Sequence, residues 1–135
     1  MRSANDVPII AVVDDDEAVQ VSISSLLHSA GYRSEAYRSA EVFLDACAMQ
    51  LPDCAILDFR LPGLNGLELQ CVLSEFGYSI PIIMVSAYDD RVRIKALEQG
   101  ALLVLGKPFG GETLLAAIRS ALESSEPESG QEKGT

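Results

Sequence analysis

The stretch Ile9-Ile10-Ala11-Val12-Val13-Asp14-Asp15 decides how the chain is read: five apolar residues run without a break into two carboxylates. The pattern returns twice. Cys54-Ala55-Ile56-Leu57 ends on Asp58, and Leu102-Leu103-Val104-Leu105 ends, one glycine later, on Lys107. Apolar runs of this length, separated by helical patterns, are expected of buried strands in a parallel sheet. In open α/β sheets, ligands bind just beyond the carboxyl ends of the strands. Residues far apart in sequence are therefore expected to meet at one edge. Three carboxylates and an ammonium gathered there are costly electrostatically, and a stable core alone does not require them.

Outward from these runs, strand and helix alternate five times, the pattern of βαβ units. Val19, Ile23, Leu26, Leu27 and Ala30 recur at helical spacing after the first strand, and Gly31 stops that helix. A weaker second strand lies within Tyr32 to Tyr37. Ser39 is a candidate N-cap for a helix carrying Val42, Phe43, Ala46 and Cys47, and Pro52 marks the turn into the third strand. Leu61-Pro62-Gly63-Leu64-Asn65-Gly66 is dense in turn formers and reads as a loop over the strand end. The next helix presents Leu69, Val72, Leu73 and Phe76. Ile82 to Val85 forms the fourth strand, after which Asp89 or Asp90 can cap a helix ending at Gly100. The fifth strand is Leu102 to Leu105. Gly110-Gly111 relaxes the start of a last helix that carries Leu114, Leu115, Ile118, Ala121 and Leu122, and this pair lacks the spacing of a phosphate-binding loop.

The 135 residues fit one domain, with residues 1–7 as a polar N-terminal extension, 8–123 as the folded domain and 124–135 as an acidic tail too poor in apolar residues to order itself. A net charge of −10 disfavours direct nucleic-acid binding and favours cations or basic partner surfaces. No apolar run approaches membrane-spanning length, and Met1 to Val7 lacks a signal peptide's apolar segment, so a soluble, cytoplasmic protein with no membrane partner is expected. Cys47, Cys54 and Cys71 lie in apolar segments without metal-ligand spacing and read as buried reduced thiols. His28, near the end of the first helix, reads as a surface residue.

Crowded carboxylates raise one another's pKa unless a divalent cation neutralises them, and such an oxygen-rich cluster suits magnesium with room left for a phosphate oxygen. Asp58, alone at a strand end with a structured loop after it, is the candidate nucleophile for an acyl phosphate, with Lys107 pairing to a phosphoryl oxygen. Ser86, at the end of the fourth strand, is placed to donate a hydrogen bond to that group, although a serine after a strand also serves simply as a turn residue. A lesser alternative is that Asp14 to Asp16 merely start the first helix.

Taken together, Val13-Asp14-Asp15-Asp16-Glu17, Asp58-Phe59-Arg60-Leu61-Pro62-Gly63-Leu64-Asn65-Gly66, Val85-Ser86-Ala87-Tyr88 and Lys107-Pro108-Phe109 resemble the receiver domain of two-component response regulators over about Pro8 to Leu122. The pattern is similar to receivers of the nitrogen-fixation regulator type. The resemblance implies a flavodoxin-like fold: a five-stranded parallel sheet of order 2-1-3-4-5 with helices on both faces. It also implies phosphoryl transfer to Asp58 from a sensor histidine kinase or phosphotransfer protein in a phosphorelay. Magnesium would be held by Asp15, Asp58 and the backbone carbonyl of Arg60, with Asp14 acting through water, and Ser86 and Lys107 would hold the phosphoryl oxygens. A cis Lys107-Pro108 bond is implied as well. Apart from taking up a phosphoryl group and hydrolysing it, such a chain is not expected to be an enzyme. Its downstream protein target would meet the face of the fourth helix, fifth strand and fifth helix, which leaves room for a homodimer.

In this family an aromatic side chain on the fifth strand turns inward on phosphorylation, but Val104 stands at that position and has no ring to rotate. Leu103 stands where an acidic residue is common. Either the substitution is silent in a buried strand, or the face of the fourth helix, fifth strand and fifth helix signals without an aromatic rotation or forms a standing apolar contact with a partner. Tyr88 follows the hydroxyl position and is a candidate for the site entrance. The last helix resembles those that usually precede a DNA-binding output domain, whereas here the polar tail follows, so a stand-alone receiver is expected. Two rival readings remain at this level. One is a receiver-like module that binds partners independently of phosphorylation. The other is an aspartyl-nucleophile phosphatase of the haloacid dehalogenase type, suggested by Asp14-x-Asp16, although Glu17-Ala18 departs from how that motif continues.

Overall fold

A computed structural model describes residues 7–87 and 90–124. The elements alternate strictly: β1 Ile9–Val13, α1 Glu17–Ser29, β2 Arg33–Tyr37, α2 Ala40–Cys47, β3 Cys54–Asp58, α3 Gly66–Glu75, β4 Ile82–Ser86, α4 Asp90–Glu98, β5 Leu103–Gly106 and α5 Gly111–Ser124. All strand pairings are parallel, and the sheet order is β2-β1-β3-β4-β5, as the resemblance implies.

The two-residue period of a strand sorts side chains into two cores. Ala11, Val13, Ala55, Leu57, Ile82 and Met84 pack beneath α2, α3 and α4, with Phe43, Leu69, Leu73 and Ala96. Ile10, Val12, Cys54, Ile56, Ile83 and Val85 pack beneath α1 and α5, with Ile23, Leu27, Leu114 and Ile118. The central strands β3 and β4 are buried at every position, whereas the edge strands β2 and β5 are only partly covered. Among the described residues, no helix is long and apolar enough to cross a membrane.

Several local expectations shift. β5 starts at Leu103 and ends at Gly106, because Leu102 N–H bonds the Ile82 carbonyl ahead of the paired register and Ser86 pairs with Gly106. Gly66 belongs to α3 rather than to the preceding loop: Asn65 caps the helix and exchanges hydrogen bonds with Glu68 in a capping box. Phe76 is 61% exposed at the end of α3, where its ring packs on Tyr78. Val42 is exposed too, because Ala40, Phe43 and Cys47 form the buried stripe of α2. Cys47 and Cys54 are buried as expected, but Cys71 is exposed on α3. His28 lies at the surface. Ser39 caps α2, and the Lys107-Pro108 bond is cis. Tyr88, the capping role of Asp89, residues 1–6 and the tail from residue 125 lie outside the described residues.

Candidate functional site

The three consecutive aspartates after β1 do three different things. Asp14 is buried at 5% exposure, its amide bonded to the Tyr37 carbonyl and its Oδ1 accepting from the Asp16 amide at 2.9 Å. Asp15 is exposed. Asp16 turns away as the N-cap of α1, accepting from the amides of Ala18 and Val19 at 2.9 and 3.3 Å. Gln20, one turn into α1, donates from Nε2 to the Asp14 carbonyl and pins the loop.

Asp58 ends β3 and is 6% exposed. A carboxylate oxygen from each of Asp14, Asp15 and Asp58 lies within 4.8 Å of the others. Lys107 reaches across β4, and its Nζ stands 3.2 Å from Asp58 Oδ1. Its backbone is fixed as well, since the Lys107 amide donates to the Ser86 carbonyl at 2.8 Å. Burial pushes the Asp14 carboxyl above its usual range; the Asp16 amide works against this, Asp58 adds repulsion, Lys107 offsets part of it, and Asp15 adds a little more. Two buried acids and one exposed acid at this spacing, with one cation beside them, form an oxygen-rich set suited to a hard divalent cation such as magnesium.

Ser86 is buried at the end of β4, but its hydroxyl donates to the Ala87 carbonyl at 2.8 Å rather than into the acid cluster. A rotation about χ1 frees it. Arg60 is exposed in the loop two residues beyond Asp58. Val104 pairs with Met84 in register and packs into the core beneath α4. Beside the site, a cavity of about 520 Å³ opens between α1 and the Lys107-Pro108-Phe109 turn, lined by Asp14, Asp58, Ile23 and Val85 among others.

Sequence reasoning missed the residues that hold the β3–α3 loop in place. Glu41 on α2 accepts from the Leu64 amide at 3.2 Å and its carboxylate lies against Gly63, whose φ of +73° favours glycine. Gly66 lies so close to the end of β3 that an added Cβ would meet Asp58 O and Phe59 Cα at 2.9 Å. The Asn65-x-x-Glu68 capping box was the available signal that α3 begins there.

A five-stranded doubly wound sheet with an acid cluster and a lysine at its carboxyl edge defines a flavodoxin-like α/β domain whose strand ends carry a candidate cation site. The chain belongs to the response regulator receiver domain family, whose model matches residues 10–119. It is 43% identical over 116 residues to the response regulator protein TmoT of Ectopseudomonas mendocina, covering 85% of this chain and 53% of that one. Among solved structures it is similar to full-length FixJ from B. japonicum, with a TM-score of 0.86, 35% identity, and coverage of 90% of this chain and 61% of that one. It is also similar to a CheY-like receiver domain protein from Methanospirillum hungatei, with a TM-score of 0.84, 28% identity, and coverage of 91% and 99%. The chain spans about half the length of curated relatives such as TmoT. Family membership displaces the aspartyl phosphatase reading, and Asp16, the second acid of that motif, is used as a helix cap.

Proposed function

We propose that this chain is the phosphoaccepting switch of a two-component phosphorelay in the cytoplasm, and that Asp58 is the residue modified. The observation that carries the reading is the buried Asp58 carboxylate, 3.2 Å from Lys107 Nζ and grouped with Asp14 and Asp15. A carboxylate oxygen of Asp58 attacks the phosphorus of a phosphohistidine on a sensor kinase or phosphotransfer protein. The new O–P bond forms as the P–N bond breaks, and the imidazole leaves. Asp15, Asp58 and the Arg60 carbonyl, with Asp14 assisting, would hold magnesium, which would neutralise the acids and the phosphoryl oxygens. Lys107 moves its ammonium from Asp58 to a phosphoryl oxygen, and the Ser86 hydroxyl gives up the Ala87 carbonyl to donate to another. Attack of water on phosphorus later breaks the acyl-phosphate bond and returns the carboxylate, so beyond these self-reactions the chain is not an enzyme.

The output is a change of protein contacts on the α4-β5-α5 face, where Ile94 and Leu97 of α4 are exposed. The target is a downstream protein or a second copy of the chain, without direct contact to nucleic acid. Val104 supplies no ring for the change. Incubation with acetyl phosphate and magnesium, followed by intact mass and peptide mapping, tests the reading. One phosphoryl group on Asp58, dependent on magnesium and absent from Asp58→Asn, is the expected result. Folded protein that binds magnesium yet gains no mass points instead to a phosphorylation-independent interaction module.

A further inference from the structure

The seam between α3 and α4 holds a polar feature that the phosphoryl chemistry does not use. Gln70, on α3, is 4% exposed, and its Nε2 donates to the Ala96 carbonyl of α4 at 3.1 Å. That carbonyl lies in the last turn of α4 and already accepts from the Ala101 amide at 2.9 Å. With the Gly100 amide on the Leu97 carbonyl and Gly100 at φ +107°, the turn is a Schellman stop. Gln70 thus grips the point at which α4 ends.

The other half of the same carboxamide has no partner. Gln70 Oε1 and Gln99 Oε1 are both buried without a hydrogen bond among the described residues, and both residues line one cavity of about 200 Å³ with Ser74 and Tyr78. A leucine or methionine at position 70 would fill the seam without leaving an acceptor unmet. The unmet oxygen is a contact that a second arrangement of the seam, one that brings it a donor, would supply.

The seam is joined to the acid site by close packing. Gly66, one helical turn before Gln70, donates its amide to the Phe59 carbonyl and sits against the Asp58 backbone and the Met84 sulfur. Met84 in turn pairs with Val104. Resting on the phosphoacceptor reading above, we infer that Gln70 is the positioning residue through which the state of Asp58 reaches α4. It takes the place of the aromatic rotation that Val104 cannot make. On phosphorylation the start of α3 shifts with the strand end, α4 slides along the seam, and Gln99 Nε2 reaches Gln70 Oε1.

The test compares the unsubstituted chain with Gln70→Met and Gln70→Leu, each with acetyl phosphate and magnesium. Phosphoryl mass and backbone amide shifts of residues 91–100 are read on the same samples. Expected are labelling of all three proteins within about twofold and α4 shifts reduced to less than half in each variant that folds. Gln99→Met should reduce them in the same direction. A folded variant with undiminished α4 shifts overturns the Gln70 assignment alone. An unsubstituted chain that takes no phosphoryl group overturns the phosphoacceptor reading and this inference together. A purely structural glutamine would lower stability and labelling in step and leave the α4 response per labelled molecule unchanged.

Discussion

Replacing Gly66 with alanine sets two elementary forces against each other. Gly66 is the first residue of α3 and its φ is not positive, so helix propensity alone favours Gly66→Ala by roughly 0.5–1 kcal/mol. The surroundings oppose it. A Cβ there would lie 2.7 Å from Met84 Sδ and 2.9 Å from both Asp58 O and Phe59 Cα, about 0.5 Å short of ordinary contact with two backbone atoms. The methionine can adjust, but the backbone at the end of the buried β3 strand cannot do so cheaply. Overpacking of this kind costs about 1–3 kcal/mol, so a net destabilisation of about 1–2 kcal/mol is expected. For a domain of this size that lowers the unfolding midpoint by roughly 3–10 °C. Gly31→Ala and Gly77→Ala are the controls: both glycines have positive φ but no atom within 4 Å, so their cost of about 1 kcal/mol is conformational alone. Urea and thermal unfolding, paired with acetyl-phosphate labelling, separate the two mechanisms. Gly66→Ala should lose labelling rate as well as stability because the Asp58 backbone must move, whereas the controls lose stability only. A Gly66→Ala protein as stable as the original, or more so, would refute the steric argument.

The raised carboxyl of Asp14 gives a pH dependence in metal-free protein. Its folded-state pKa lies above the unfolded value, so its contribution to stability is present below about pH 4 and lost as pH rises through the folded value. Asp14→Asn should therefore unfold at a higher temperature than the original at neutral pH without metal, and saturating magnesium should erase that advantage. Lys107→Ala should keep magnesium affinity within about threefold by fluorescence or calorimetric titration while phosphorylation no longer shifts the amides of α4. Of the three cysteines, a thiol reagent should label Cys71 alone in native protein, because burial pushes the thiols of Cys47 and Cys54 up to about 11 and about 12. Mass spectrometry should count one adduct natively and three in denaturant; three without denaturant would contradict the packing of α2 and β3.

The fold was legible because burial imposes simple patterns. Strands covered on both faces are apolar throughout, and β1, β3 and β4 could be read from that alone. The edges were harder: β5 is half-covered and ends on Gly106, so hydropathy placed it one residue early. The acids at the strand ends announced a site, but their division of labour was not written in the run Asp14-Asp15-Asp16. That division depends on which carboxylate finds amides to accept from once α1 has turned away from the sheet. The direction of the Ser86 hydroxyl is likewise a rotamer choice between the Ala87 carbonyl and the acid cluster. Phe76 was placed on the core face of α3 by its spacing, yet the helix ends there and its ring finds Tyr78 instead. Gln70 looked unremarkable because nothing in a sequence distinguishes a glutamine in solvent from one holding the end of a neighbouring helix.

Lys107 reaches Asp58 across the whole width of β4, since β5 pairs only with β4 and lies two strands from β3. The ammonium that offsets part of the repulsion on Asp14 is thus supplied from the outermost strand of the sheet. The ammonium beside the acids therefore depends on the outermost pairing of the sheet: β5 must be seated on β4 for Lys107 to stand next to Asp58.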